Sequence, residues 1–261
     1  MCSLTPGIRA MAIAPRRIGC DLTDAELDAA SATAQETAAG LNLPFAESCE
    51  YNKYPIASAL AMLFSEVPRS APYTVLEVGS GTAQHAAHFM TAFADIIQKW
   101  QLTEMPDELT ATRRCFEHYA APTNPVSRER LLTPHKLDVA EPADWVYLAQ
   151  QSAGSPFSLV FSANTFHIMP WESVVRCLEL VPSVMKQGGL LVVYGPFNYN
   201  GRFTTESNAN FDVWLKRRNP LSGIRDFEAV CDTAHAQGLH IVADFDMPSN
   251  NRLLAFVLRP I

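Results

Sequence analysis

No apolar run in this sequence approaches the roughly 20 residues that a bilayer-spanning helix needs, which argues against a membrane partner. Its six cysteines (Cys2, Cys20, Cys49, Cys115, Cys177, Cys231) never form a C-x-x-C pair. Neither zinc spacing nor a disulfide framework is visible, so free thiols in a reducing, cytoplasmic compartment are expected. Basic residues are also few: 20 Lys and Arg stand against 27 Asp and Glu, for a net charge of −7. Without a broad basic face, binding to a nucleic-acid backbone is not expected. The one basic cluster, Lys216-Arg217-Arg218, reads as a solvated face or an anion contact. Internal repeats and low-complexity segments are absent. What remains is 261 residues with 48% hydrophobic and 18% charged content, enough for one large domain with a well-buried core.

The first 20 residues carry Arg9, Arg16 and Arg17 and no acid, as transit peptides do. Pro15 and the arginines interrupt any apolar core, and a loose N-terminal arm is the better reading. Asp21 to Gly40 then reads as a helix capped by Thr23 or Asp24, with acids in its first turn. Leu41 to Ser48 is a connection. A second helix is expected from Pro55, suited to a first turn, to about Val67. Pro68 to Pro72 links it to the first strand.

The chain is organised around Thr74-Val-Leu-Glu-Val-Gly-Ser-Gly-Thr-Ala-Gln-His85. Thr74 to Val78 is a short run of β-formers, Gly79-Ser80-Gly81 breaks it, and Ala83 to Phe93 has helical periodicity. Glycines in such a turn accept positive φ and let the backbone approach a ligand closely. Glu77 sits within the apolar run, where a carboxylate needs a hydrogen-bond donor or a cation. The bland alternative is a strand-turn-helix with no ligand. The dinucleotide fingerprint fits poorly, because Gln84 stands where the third glycine or alanine belongs, which disfavours a nicotinamide oxidoreductase.

Strand and helix patterns then alternate: strands at Lys99–Glu104, Leu131–Leu137, Phe157–Ser162 and Leu190–Tyr194, and helices at 106–120, 143–151 and 171–186. That alternation predicts an α/β fold with a doubly wound, mostly parallel sheet. Residues 195–226 have no clear sheet pattern. A helix from Phe227 to Gln237 follows, and then two β runs, His240–Met247 and Arg252–Leu258, predict a C-terminal antiparallel hairpin. Ligands of such sheets bind beyond the carboxyl ends of the strands. Gly79 to Thr82, Glu104 and Asp138-Val139 should therefore hold a cofactor, and the loops from Asn164 and Tyr194 should face its reaction partner. Glu104 lies a little over twenty residues past Gly81, near the ~20-residue spacing at which nucleotide folds place an acid on the ribose. Asp138-Val139 offers an acceptor beside an apolar wall, as an adenine site requires.

The E-x-G-x-G-x-A pattern at Glu77 resembles the nucleoside-binding loop of class I S-adenosylmethionine (SAM)-dependent methyltransferases. The full motif set resembles the methyltransferase-like protein 26 type, a domain-of-unknown-function family of that class. The matching stretches include Glu50-x-Asn-Lys-x-Pro-Ile56, Leu76 to Phe89, Trp100-Gln101, Leu137-Asp-Val139, Asn164-x-x-His167 and Tyr194-Gly-Pro196. Further matches are Ser207-Asn208, Asn210-Phe-Asp212, Arg218-Asn-Pro220, Arg225-Asp226 and Asp246 to Asn251, so the coverage is roughly residues 50 to 259. Leu102-Thr-Glu104 departs from the shorter Asp-bearing turn of the family, and about 45 N-terminal residues are extra. The resemblance implies a Rossmann-like class I methyltransferase fold with seven strands. It divides the chain into an N-terminal arm and helix, 1–48, serving as a lid or oligomer contact, and a SAM-dependent domain, 49–261. A homodimer is compatible with it.

The implied cofactor shell for SAM, or S-adenosylhomocysteine as product, is Asn52, Lys53, Glu77, Gly79, Ser80, Gly81, Gln84, His85, Glu104, Asp138, Val139, Ser162, Ala163 and Asn164. His167 is the candidate base, with Tyr194 and Asn164 beside it; its alternative is a structural histidine. Tyr194, Phe197 and Tyr199 either wall the acceptor site or fill the core. Asn208, Asn210 and Arg218 lie where a substrate cap would be. Arg218 and Arg225 either clamp a carboxylate or pair with Asp212 and Asp226. His85 and His88 lack an identifiable third ligand, so no metal is expected. The leading reading is methyl transfer to a small-molecule oxygen, nitrogen or sulfur nucleophile. The alternative is a SAM-binding partner subunit without catalysis.

Overall fold

The computed structural model describes residues 16–20, 22–67, 72–152 and 155–260. The expected arm up to Pro15 and most of the linker at 68–72 lie outside the described residues. Along the chain run β1 (Arg16–Arg17), α1 (Asp24–Gly40), α2 (Glu47–Glu66), β2 (Tyr73–Val78), α3 (Gln84–Ala92) and β3 (Ile97–Glu104). Next come α4 (Leu109–Tyr119), β4 (Leu131–Lys136), α5 (Pro142–Gln151), β5 (Phe157–Ala163), α6 (Trp171–Leu180) and β6 (Met185–Gly195). The last third holds β7 (Phe197–Asn198), α7 (Glu206–Arg218), β8 (Arg225–Asp226), α8 (Phe227–His235), β9 (Leu239–Met247) and β10 (Asn251–Leu258).

The eight-stranded sheet has the order β1-β9-β10-β6-β5-β2-β3-β4. Strands β2 to β6 are mutually parallel, and β10 runs antiparallel to both β6 and β9. Apolar side chains fill both faces. Leu60, Phe89, Trp100 and Phe161 pack beneath α2 and α3, and Trp145, Val174, Leu178 and Phe256 pack beneath α5, α6 and α8. Each such buried side chain contributes about 1.5–3 kcal/mol. From β2 the chain winds outward to β3 and β4, then returns to place β5 on the other side of β2. The reversal opens a crevice at the carboxyl ends of β2 and β5.

Five expectations are corrected. The sheet has eight strands among the described residues, not seven. Arg16–Arg17 of the supposedly loose arm pairs with Phe245–Asp246, covering the β9 edge, and Arg16 pairs with Glu66 and lies over the Phe245 ring at 5.0 Å. The second helix starts at Glu47, so Pro55 is interior. A proline there costs about 3 kcal/mol, but burial of Ile56, Ala59, Leu60, Leu63 and Phe64 outweighs it. The amphipathic pattern past Leu180 is not helix: Pro182 has no N–H for the carbonyl of Leu178, a 3-10 turn follows at Val181–Val184, and Met185 begins a strand beside Phe157. Residues 195–226 contain a 13-residue helix, α7, whose N-cap Thr205 accepts from the Asn208 amide. Its buried residues are Asn208, Asp212 and Leu215, so polar anchors replace the apolar stripe that would have marked it.

Candidate functional site

The turn after β2 is the centre of the crevice. Gly79 (φ +74°) and Gly81 (φ +49°) adopt left-handed conformations that cost residues with a Cβ roughly 1–2 kcal/mol. A Cβ on Gly79 would stand 2.9 Å from Thr165 Oγ1 and 3.0 Å from Thr165 Cγ2, whereas one on Gly81 would meet nothing within 4 Å. The turn is pinned from β3. The Ser80 amide donates to the Thr103 carbonyl (2.9 Å), the Thr103 amide donates to Ser80 Oγ (3.1 Å), and the Gly81 amide donates to Glu104 Oε2 (2.7 Å). Thr112 Oγ1 on α4 donates to the Gly81 carbonyl at 2.8 Å.

Beneath this turn lies a cleft of about 520 Å³. The expected residues Gly79, Ser80, Gly81, His85, Glu104, Asp138, Val139, Ala163 and Asn164 line it. Ser48 and Cys49 of α2, Thr165 and Met169 line it too, although sequence reasoning did not select them. The early start of α2 brings the first two there. Three carboxylates, Glu104, Glu108 and Asp138, face the cleft and no cationic residue lines it. Burial raises the Glu104 carboxyl above its ordinary range, against the pull of the Gly81 and Met105 amides. Such a cleft favours a cationic ligand with an apolar face against Leu137 and Val139.

Several residues expected in the cofactor shell stand elsewhere. Ser162 is buried and donates to the Val78 carbonyl (3.0 Å), tying β5 to β2. Gln84 Nε2 donates to Glu50 (2.6 Å) and its Oε1 accepts from the Ala46 amide (2.9 Å), so it fastens α3 to α2. Lys53 pairs with Glu50 and faces a separate cavity of about 380 Å³ between α1 and α4, not the cleft. Asn52 Oδ1 accepts from His85 Nε2 (2.6 Å), which leaves His85 Nδ1 facing the Cys49 thiol at 3.9 Å. Burial pushes His85 down to about 3 and, with Lys53 nearby, His88 to about 4, so both rings are neutral at pH 7.

Glu77 is turned away from the cleft, 2% exposed, and accepts from Trp100 Nε1 at 2.9 Å. Burial, less the Trp100 and Ser80 hydrogen bonds, pushes its carboxyl up to about 8. A carboxyl raised in the folded state stabilises fully below its unfolded value near 4.5, and that advantage is lost as pH rises through 8. Glu77→Gln keeps an acceptor for Trp100 and removes the buried charge. Thermal melting should show a variant more stable than the parent at pH 9 and indistinguishable at pH 5; a variant equally destabilised at both would mean that the ionised carboxylate is required.

A second cavity, about 690 Å³, adjoins the first at Ser48, Asn164 and Ile168. His167, Tyr194, Asn164, Asn208 and Arg218 line it, as expected, and Asn52 joins them. Phe197, Tyr199 and Asn210 do not. Phe197 is 1% exposed in the core, Tyr199 donates to Asp244 Oδ2 (2.9 Å) while stacking on Phe227, and Asn210 is exposed on α7. Phe211 and Trp214 line the cavity instead. Their i, i+3 spacing could have identified them had the helix been recognised.

His167 is 5% exposed and lies edge-on to Phe211 at 5.4 Å. Burial, then the Arg225 charge, push it down to about 4. Its ring nitrogens make no hydrogen bond among the described residues. Its backbone is fixed: the Gly223 amide donates to the His167 carbonyl (2.9 Å), and Ser222 Oγ donates to that of Ile168 (2.6 Å). Arg225 donates to the carbonyls of Phe166 (3.0 Å), Leu221 (2.9 Å) and Met169. Arg225 therefore holds the loop through backbone carbonyls, and neither of the carboxylate pairs expected for it, with Asp212 or Asp226, is present among the described residues. Asp212 takes the Ile224 amide (2.8 Å) and Lys216, not an arginine.

This sheet and crevice belong to the Rossmann-like class I methyltransferase fold. An O-methyltransferase family protein from Burkholderia thailandensis is similar, with TM-score 0.60 and 12% identity over 80% of this chain and 60% of that one. So is an O-methyltransferase family 2 protein from Planctomyces limnophilus, solved with apigenin, at TM-score 0.61 and 13% identity over 87% of this chain and 61% of that one. LepI in complex with SAM matches at TM-score 0.55 and 13% identity over 76% of this chain and 46% of that one. The chain thus spans about three-fifths of the first two structures and less of the third. Residues 43–258 match the model of the family described as protein of unknown function (DUF938), and the chain belongs to that family.

Proposed function

We propose that this protein transfers a methyl group from SAM to a small-molecule acceptor. The observation that carries the reading is the meeting, at Ser48, Asn164 and Ile168, of an acid-lined cleft under a glycine turn and a cavity holding His167. The residues fit the cofactor. Gly81 leaves the backbone open, Glu104 stands at the end of β3 for the ribose, Asp138 and Val139 offer an acceptor and an apolar wall, and the carboxylates suit a cationic sulfonium. The similar folds solved as O-methyltransferases and with SAM support the same reading. The motif set supports a place in the methyltransferase-like protein 26 type, and the unpaired Cys49, Cys115 and Cys177 support a cytoplasmic enzyme.

Bound in the cleft, SAM supplies a methyl group whose bond to sulfur breaks with the electron pair staying on sulfur. The protein's share is positioning: α2 and the 164–170 loop hold the acceptor against the cleft, and such orientation contributes about 7–11 kcal/mol in favourable models. The acceptor atom forms the new bond to carbon with its lone pair. Where it carries a proton, the neutral imidazole of His167 takes it. Titration calorimetry should show S-adenosylhomocysteine binding and NAD failing to bind, with Glu104→Gln weakening the first about tenfold. Binding of NAD in preference would overturn the assignment.

A further inference from the structure

We infer that Gln84 and Glu50 are positioning residues for the cofactor: neither lines its cleft, and together they set where the α2 wall of that cleft stands. This role rests on the methyl-transfer reading for the occupant of the cleft, and its own grounds are the hydrogen bonds between α2 and α3. Both residues line the separate 380 Å³ cavity and are absent from the lining of the 520 Å³ cleft.

The wall formed by Ala46, Ser48 and Cys49 begins at a helix end that does not cap itself. Ala46 precedes α2 and has no side-chain oxygen, so the first amides there need an acceptor from elsewhere. Gln84, the first residue of α3, takes the Ala46 amide on Oε1 at 2.9 Å. The same oxygen accepts from Thr82 Oγ1 at 2.6 Å, and Thr82 lines the cleft from the glycine turn. One carbonyl thus ties the turn wall to the α2 wall. Its amide nitrogen donates to Glu50 Oε1 at 2.6 Å, and Lys53 pairs with the other carboxylate oxygen. Gln84 and Glu50 are buried, so no bulk water replaces these bonds when one partner is removed.

The residue type at position 84 follows from these partners. Glycine or alanine, usual at this place in the dinucleotide fingerprint, would leave the Ala46 amide and Glu50 without their partner. A carboxylate would set two like charges at hydrogen-bond distance. Only a side chain that accepts at one end and donates at the other serves both neighbours. Cys49 and Lys53 of α2, His88 of α3 and Tyr119 of α4 lie around Glu50, and α1 brings no titratable group to the cavity. Burial keeps His88 neutral and the Cys49 thiol and Tyr119 phenol protonated, so Lys53 is the one counter-charge. It balances one carboxylate and not two.

The test is calorimetric titration of full-length Gln84→Glu with S-adenosylhomocysteine, with the parent protein titrated at each pH as reference. At pH 5.5 the two carboxyl groups share a proton, the hydrogen bond survives, and affinity should stay within about threefold of the parent's. At pH 9 both are ionised, and affinity should fall about tenfold or more below the parent's. The double variant Gln84→Glu with Glu50→Gln exchanges donor and acceptor, and should return to within about threefold of the parent at both pH values. A side chain that merely fills space gives neither the pH split nor the rescue. A Gln84→Glu protein whose affinity relative to the parent is the same at both pH values overturns the assignment, as does a double variant no better than the single one at pH 9. Hydrogen exchange at the Ala46 amide needs no ligand: Gln84→Met should speed it about tenfold or more, and unchanged protection also overturns the assignment. A parent protein that binds no S-adenosylhomocysteine overturns the methyl-transfer reading instead, and faster Ala46 exchange in Gln84→Met would still identify Gln84 as the tie that holds this wall.

Discussion

Gly79→Ala is expected to cost roughly 2–5 kcal/mol of stability and to weaken S-adenosylhomocysteine by tenfold or more. The left-handed φ of +74° accounts for about 1–2 kcal/mol of that. The remainder, about 1–3 kcal/mol, is overpacking, because the new methyl would sit 2.9 Å from Thr165 Oγ1 and 3.0 Å from Cγ2. Thr165 cannot swing aside without cost, since its hydroxyl donates to the Ala163 carbonyl at 2.9 Å. Differential scanning calorimetry should place the variant roughly 5–15 °C below the parent. Gly81→Ala separates the two contributions, because its Cβ meets nothing within 4 Å and only the φ cost remains. The double variant Gly79→Ala with Thr165→Ala should recover part of the loss. A Gly79→Ala protein that melts and binds like the parent would remove close approach at this turn as the reason for the glycine.

His167→Ala should lower kcat about 10²–10⁴-fold toward a hydroxyl acceptor while leaving S-adenosylhomocysteine affinity within twofold. The ring lines the second cavity and not the cleft, which is why the two readouts separate. Because burial pushes His167 down to about 4, the imidazole stays free to accept a proton through the neutral range. The acid limb of kcat/KM should therefore fall near pH 4, not near 6.5. The same depression sets a stability trend. Between 6.5 and about 4 the unfolded chain binds a proton that the folded chain refuses, so stability falls as pH falls through that window. His167→Ala should flatten the slope, and His85, held at about 3, with His88, held at about 4, should keep part of it. Unchanged turnover in His167→Ala would take the ring out of proton transfer. Absence of turnover in the parent with every acceptor, cofactor still bound, would favour the partner-subunit reading.

Much of the architecture was legible because strands and helices here carry strong periodic signals. The run at Leu191 is apolar throughout and those at Val75 and Val160 are mostly so, as central parallel strands are, and Thr23 with Glu26 forms the capping box of α1. Two of the misread helices went wrong for opposite reasons. Pro55 signals a helix start locally, yet α2 continues through it because five side chains beyond it are buried. The α7 helix gives no apolar stripe because hydrogen bonds of Asn208 and Asp212 to backbone groups replace hydrophobic contacts.

The site shows the same division. Glycines, the acid after β3 and the Asp-Val pair announce a nucleotide-type crevice, since turn geometry and strand ends are local properties. Glu77 and Gln84 sit in the same motif but serve Trp100 and Glu50, and no spacing rule distinguishes a carboxylate that faces a ligand from one that holds an indole. Sequence by itself determined the alternation of elements, the turn and its family, because those follow from backbone preferences and hydrophobic period. Only the tertiary structure decided which side chains share a cavity, that acids line one compartment and none lines its neighbour, and that Phe211, Trp214 and Arg218 share a cavity with His167. Those are long-range contacts, fixed by how α2 and α7 pack over the sheet edge.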